Sequence, residues 1–136
     1  MVRVLLAHAD TDDRSMYADY LRQHAMEVTE VPSTDTALAL AHLHHVLVTG
    51  LNVPGTIEAT ELISRFRALG NDRGIVVVTA SSRACQHEAA WQAGCDRLML
   101  KPCLPSELLD AVRCVERIVP PTFQGDSCGN ADAPSS

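Results

Sequence analysis

The sequence predicts an α/β protein built on a doubly wound, five-stranded parallel sheet with helices on both faces. Three observations predict it. Short β-type runs alternate with helical patterns five times along the chain. One of those runs, Gly74-Ile75-Val76-Val77-Val78-Thr79, is almost continuously β-branched, as suits a strand covered on both faces. The strict alternation implies right-handed crossovers between parallel strands, which places helices on either side.

The elements follow in order. The first strand is predicted over residues 3–7. A helix starts at about Thr11, with Thr11 as N-cap and Asp12 and Asp13 in the first turn, where carboxylates suit the helix dipole. Its inner stripe is Tyr17, Tyr20, Leu21 and His24. Residues 27–31 alternate polar and apolar, the pattern of a half-exposed edge strand. Pro32 ends it, and Ser33 caps a second helix reaching about Leu43. Residues 45–49 form a third strand, and residues 60–69 a helix with Leu62, Phe66 and Leu69 on one face, stopped by Gly70 and Asn71. After the fourth strand, Ser81 or Ser82 caps a helix that ends at Gly94, a residue suited to the left-handed C′ position. Residues 97–100 are the last strand. Pro105 opens the last helix, packed through Leu108, Leu109, Val112 and Val115. From Val119 the composition turns to Pro, Gly, Asn, Asp and Ser, so we expect a domain over 1–118 and a flexible tail over 119–136.

Composition narrows the function. A chain of 136 residues with 46% hydrophobic and 21% charged content is one ordinary globular domain. Its net charge of −6 disfavours unaided binding to nucleic acid or anionic membrane, although six histidines would shrink that charge in mild acid. No apolar run is long enough to span a bilayer, and the apolar start at Val4 soon meets Asp10, so a cytoplasmic protein is expected. The five cysteines, Cys85, Cys95, Cys103, Cys114 and Cys128, contain no Cys-x-x-Cys pair. They read as reduced thiols rather than a disulfide framework or zinc site, with Cys103 and Cys128 the exposed ones. The seven glycines are scattered, so neither a dinucleotide fingerprint nor a P-loop is present. No nucleophile elbow is present either.

In doubly wound sheets the site lies beyond the carboxyl ends of the strands, where strand order reverses. With the order 2-1-3-4-5, as in flavodoxin-like (βα)5 folds, His8 and Gly50 stand just past the two flanking strands. Five segments in sequence order carry a resemblance. They are Val4-Leu5-Leu6-Ala7; residues 45–50 followed by Pro54-Gly55; Thr79-Ala80; Gly94-Cys95-Asp96; and Lys101-Pro102. Together, over about residues 2–117, the chain resembles a response regulator receiver domain, the phospho-accepting module of two-component signalling. The resemblance implies Thr79 as the hydroxyl that senses a phosphoryl group, Lys101 as its cationic partner, and a cis Lys101-Pro102 bond.

The departures from that family are as informative. Receivers hold Mg²⁺ with an acidic pair after the first strand and accept the phosphoryl group on an aspartate after the third. The matching positions here are His8, Ala9 and Gly50. Magnesium demands hard oxygen ligands, and all three carboxylates are missing. The switch position usually held by an aromatic is Leu98. Lys101 reads as structural, in an ion pair or filling the emptied acidic pocket with its own charge, and Thr79 as a residue finishing a strand. His8 reads as a hydrogen-bonded filler, with a transition-metal ligand or pH switch as the sharper alternative. His42, His44 and His45 form a denser cluster, with His42 and His44 near a helix end where positive charge is favoured. Asp10, Asp12 and Asp13 are read as capping residues rather than surrogate acceptors.

These readings predict a non-enzymatic pseudo-receiver without cofactor or metal. It would act by phosphorylation-independent protein–protein contact in a two-component or phosphorelay pathway. The expected contact face is the fourth helix, fifth strand and fifth helix, drawing on residues 82–93, Leu98 and residues 105–117. The partner would be a protein such as a sensor kinase or output domain, not nucleic acid or membrane, and a homodimer is compatible. The tail is too short for a DNA-binding output domain, which leaves a stand-alone receiver or a chain cut before its partner domain. One alternative is an atypical Mg²⁺-dependent phospho-accepting receiver; another is a metal- or pH-sensing module built on His8.

Overall fold

The computed structural model describes residues 2–70, 73–101 and 103–115. Five strands, β1 (Val2–Ala7), β2 (Met26–Val31), β3 (Val46–Thr49), β4 (Gly74–Thr79) and β5 (Arg97–Leu100), alternate with five helices. The helices are α1 (Thr11–Gln23), α2 (Thr34–Leu40), α3 (Ala59–Ala68), α4 (Ala84–Ala93) and α5 (Pro105–Val115). All strand pairs are parallel and the order is β2-β1-β3-β4-β5. The sheet is therefore the predicted doubly wound, flavodoxin-like one, with β2 at an edge as its alternating pattern requires.

The two-residue period of the strands divides the core into two halves. Val4, Leu6, Val46, Val48, Val76 and Val78 face α1 and α5. Leu5, Ala7, Leu47, Ile75 and Val77 face α2, α3 and α4. α5 buries Leu108, Leu109, Val112 and Val115, as its spacing predicts. Helix α4 is thinly seated, with only Ala90 buried among its residues.

Several local expectations are corrected. The N-cap of α1 is Asp10, not Thr11: its carboxylate accepts from the backbone N–H of Asp12 and Asp13. The buried stripe of α1 is Tyr17, Ala18 and Leu21, while His24 is the C-cap and lies against the Tyr20 ring. Ser33 caps α2 as expected, but the helix tightens into a 3₁₀ turn at Ala41–Leu43. In α3 the inner face is Leu62, Ile63 and Phe66; Leu69 lies past the helix end and is exposed. Helix α4 begins two residues later than Ser82, with Arg83 at its N-cap and no side-chain cap; Ser81 Oγ accepts the Arg83 N–H instead. Gly94 ends α4 at φ 120°, a conformation L side chains rarely adopt.

The thiols also differ from expectation. Cys103 is buried and Cys85 is exposed. Cys114 is disulfide-bonded, so reduced thiols do not hold throughout. The expected tail, Cys128, Asn71 and the Lys101-Pro102 bond's proline lie outside the described residues.

Two glycines separate packing from function. A Cβ on Gly74 would collide with the Val115 carbonyl at the end of α5, whereas one on Gly50 would meet only ordinary contacts of 3.5–3.8 Å. Gly74→Ala is therefore expected to destabilise by about 1–3 kcal/mol, as overpacked cores do. Gly50→Ala should change stability by under about 0.5 kcal/mol. Urea unfolding of the two variants checks the difference.

Candidate functional site

Strands β1 and β3 are neighbours, but β1 leads into α1 on one face and β3 into α3 on the other. A crevice opens between their carboxyl ends, as it must where the winding reverses. His8, Ala9, Gly50, Leu51, Asn52, Val53, Val78, Thr79, Ala80 and Lys101 line a cleft of about 110 Å³ there. Five residues singled out from sequence, His8, Ala9, Gly50, Thr79 and Lys101, are thus brought to one place. Leu98 is not among them; it packs half-buried against the core on the α2–α4 side.

His8 is 6% exposed. Its Nδ1 accepts the Asp10 backbone N–H at 3.1 Å, and its carbonyl accepts from Arg14 Nη1 at 2.7 Å. A ring nitrogen that accepts fixes the neutral tautomer, so the proton sits on Nε2. Burial pushes the His8 pKa down, and the nearby Lys101 ammonium pushes the same way. The ring meets Tyr17 edge to face, and its Cδ2 lies 3.8 Å from where a Gly50 Cβ would be. The imidazole is thus buried and held from its Nδ1 side.

The acidic residues nearby are engaged elsewhere. Asp10 is committed to the α1 cap, and those backbone donors hold its carboxyl below the usual range. Asp13, read from sequence as a capping residue, instead pairs with Lys101 Nζ at 2.7 Å. Lys101 thus takes the structural ion pair, and its backbone N–H bonds the Thr79 carbonyl at 2.9 Å. Thr79 is buried, and its hydroxyl accepts the Ser81 N–H at 3.0 Å. That contact gives Thr79 a turn-forming role beyond finishing a strand.

Sequence reasoning missed two long-range anchors of the sheet, one beside the site and one at the opposite end, and one residue of the cleft. Tyr17 Oη donates to the Cys103 carbonyl at 2.9 Å, tying α1 to the loop after β5; burial pushes its pKa up to about 12. Asp96 Oδ2 accepts from Arg67 Nη2 at 2.6 Å and from the Ile75 N–H at 2.9 Å. Arg67 also donates to the Gly94 carbonyl, which locks α3 to the turn between α4 and β5. Asn52 joins the cleft lining from the loop after β3. The Tyr17–Cys103 and Arg67–Asp96 partners are distant in sequence, so only a long-range pairing signal would have exposed them, whereas Asn52 lies two residues past Gly50.

The histidine cluster is dispersed. His44 is buried between the Leu40 carbonyl (2.8 Å) and Thr29 Oγ1 (2.9 Å). His45 Nδ1 accepts the Arg3 N–H, and His42 is exposed. Among the described residues, no three His, Cys, Asp or Glu side chains converge where they could hold a metal ion.

With this geometry in view, the comparisons with known proteins are clear. Residues 4–113 match the response regulator receiver domain. This chain belongs to that family. It is 27% identical over 117 residues to the transcriptional regulatory protein PrrA of Mycobacterium tuberculosis, covering 85% of this chain and 50% of PrrA. The chain thus spans about half the length of the curated relatives it matches. A putative response regulator from Chloroflexus aurantiacus superposes with a TM-score of 0.76 at 26% identity, over 84% of this chain and 96% of that one. A CheY-like receiver from Methanospirillum hungatei superposes with a TM-score of 0.77 at 22% identity, over 83% and 91% of the two chains, a likeness of fold. The domain is the receiver of a two-component response regulator.

Three imidazoles, those of His8, His44 and His45, contribute to the receiver's acid stability. Burial is the leading cause that pushes His8, His44 and His45 below the ordinary histidine value of 6.5. Below about 6.5 the unfolded chain then binds more protons than the folded one, so stability falls as pH drops from there toward the lowered folded values. The Asp10 contribution is lost only at more acid pH, because its ordinary value is 3.8. The urea midpoint is expected to fall between about pH 7 and pH 5, and His8→Gln should flatten that slope by up to about one proton. Denaturation at a series of pH values checks both.

Proposed function

We propose that this receiver is a pseudo-receiver, which signals by phosphorylation-independent protein–protein contact. The observation that carries this reading is the lining of the cleft. Where receivers keep an acidic pair and an acceptor aspartate, the positions are His8, Ala9 and Gly50, and no carboxylate among the described residues lines the cleft. Magnesium without hard anionic ligands is not held, and a glycine offers no nucleophile. The lysine that would meet a phosphoryl group is instead engaged by Asp13. The mild packing around Gly50 supports the same reading: the fold does not require glycine there.

The contact face is the α4–β5–α5 side. It carries the exposed apolar residues Trp91, Leu100 and, in the loop before α5, Leu104. The partner is a protein, such as a sensor kinase or an output domain, and neither nucleic acid nor membrane; a second copy of the domain is compatible. No enzymatic step is assigned to the domain. We place it in the cytoplasm; among the described residues no helix is long and apolar enough to cross a membrane. With no phosphoryl group to move an equilibrium, the partner reads one fixed shape.

Incubation with acetyl phosphate and Mg²⁺ should leave the intact mass unchanged; an acid-labile adduct on any aspartate would install the phospho-accepting alternative. Gly50→Asp alone should also stay unmodified, because the metal-binding pair is still missing. The triple change His8→Asp, Ala9→Asp, Gly50→Asp should recover Mg²⁺ binding, read by titration calorimetry.

A further inference from the structure

Cys114, half-buried in the last turn of α5, is disulfide-bonded. Cys85, Cys95 and Cys103 are free thiols and so are not its partner. The sequence has one further cysteine, Cys128, which lies outside the described residues. The position of Cys114 says what such a bond brings together. Its Sγ accepts from Arg97 Nη2 at 3.7 Å, so the sulfur stands where α5 meets the edge strand β5. Arg97 and Met99 lie on one face of β5, and Met99 is only partly covered by the core on the α5 side. Between the two cysteines the sequence carries Ile118, Val119 and Phe123, apolar side chains that gain from cover. It also carries Pro120-Pro121 and Gly125, residue types that suit a reversal of the chain.

We propose that Cys114 is bonded to Cys128, and that this disulfide is a redox-controlled strap holding residues 116–127 across the α5–β5 junction. In a reducing compartment, disulfides that do form are usually transient and redox-sensing. The step is thiol–disulfide exchange with a low-molecular-weight disulfide such as oxidised glutathione. One cysteine thiolate attacks that disulfide, which gives a mixed disulfide and releases one small thiol. The second cysteine attacks the mixed disulfide, and the second small thiol leaves. Two protein thiols are oxidised, one small disulfide is reduced, and the two protons pass to the small thiols. Excess reduced thiol runs the exchange backwards and frees the segment. The loop is short, so bringing its ends together costs little entropy. The bearing on signalling rests on the proposed α4–β5–α5 contact face. The oxidised chain screens the α5–β5 part of that face, so access to it is controlled rather than its shape.

The test uses the full chain equilibrated in oxidised or reduced glutathione, alkylated, and digested with trypsin without reductant. Trypsin cuts after Arg113 and Arg117, so the two cysteines fall in separate peptides. The oxidised sample should give residues 114–117 joined to residues 118–136. The join should vanish in the reduced sample and in Cys128→Ser. A ¹⁵N-resolved NMR spectrum of the undigested samples reads the strap itself. Amide shifts at Arg97, Met99, Arg113 and Cys114 are expected between the two redox states. Cys128→Ser should give the reduced pattern in both buffers, whereas Cys85→Ser, at an exposed thiol elsewhere, should keep the oxidised one. Cys114 recovered joined to any other cysteine, that of a second copy included, or free in the oxidised buffer, would overturn the proposal. Joined peptides with no shift at Arg97 and Met99 would overturn the strap. No partner enters these measurements, so either failure leaves the contact-face reading standing. A partner that binds both redox states equally removes the screening and leaves the disulfide.

Discussion

Burial of β1, β3 and β4 on both faces is the constraint on which the rest of this domain depends. Residues 4–7, 46–49 and 75–79 are all buried, so their side chains point alternately into two separate cores. A strand with no polar face cannot rest against solvent, so helices must cover each side. That requirement sends the connection after β1 to one face and the connection after β3 to the other. The crevice between those exits is a by-product of covering the sheet, and it places His8 and Gly50 together irrespective of what they do there.

The contents of the crevice tell a second story. In a site built for metal and phosphoryl chemistry, buried like charges are tolerated because a cation binds them. Here that concentration of carboxylates is missing, and the space is taken by a neutral imidazole held from its Nδ1 side. Lys101 would otherwise be a half-buried cation without a counter-charge. The Asp13 carboxylate, one turn into α1, supplies it at 2.7 Å. The site thus has the architecture of the family with its electrostatics rebalanced by residues that are not part of the family's catalytic set.

The sheet is anchored at both ends, beside the site and away from it. Tyr17 fixes the loop after β5 against α1, and the Arg67–Asp96 pair, half sheltered from solvent, fixes the start of β5 against α3 and β4. Between these anchors α4 is held by little more than Ala90. The contrast puts the loosest packing on α4, which carries the exposed Trp91.

The sequence by itself determined the fold class, the strand order and the positions that meet at the crevice. The fold class follows from hydrophobic periodicity and alternation, which are local and survive reading one chain alone; the strand order, and with it the positions that meet, came from the likeness to flavodoxin-like folds, because periodicity does not order strands. It determined equally that Ala9 and Gly50 bring no side-chain chemistry to the site. Tertiary structure decided what sequence periodicity cannot carry: that Asp13 serves Lys101, 88 residues away, rather than the helix cap. It decided that Asp10 rather than Thr11 is the N-cap of α1, because the Asp10 carboxylate reaches the backbone N–H of Asp12 and Asp13. It decided that Leu69 is exposed and Cys103 buried, since burial depends on which neighbour covers a side chain and not on its own polarity. It also separated His42, His44 and His45, adjacent in sequence, into three environments, because a 3₁₀ turn followed by the start of a strand points consecutive side chains apart.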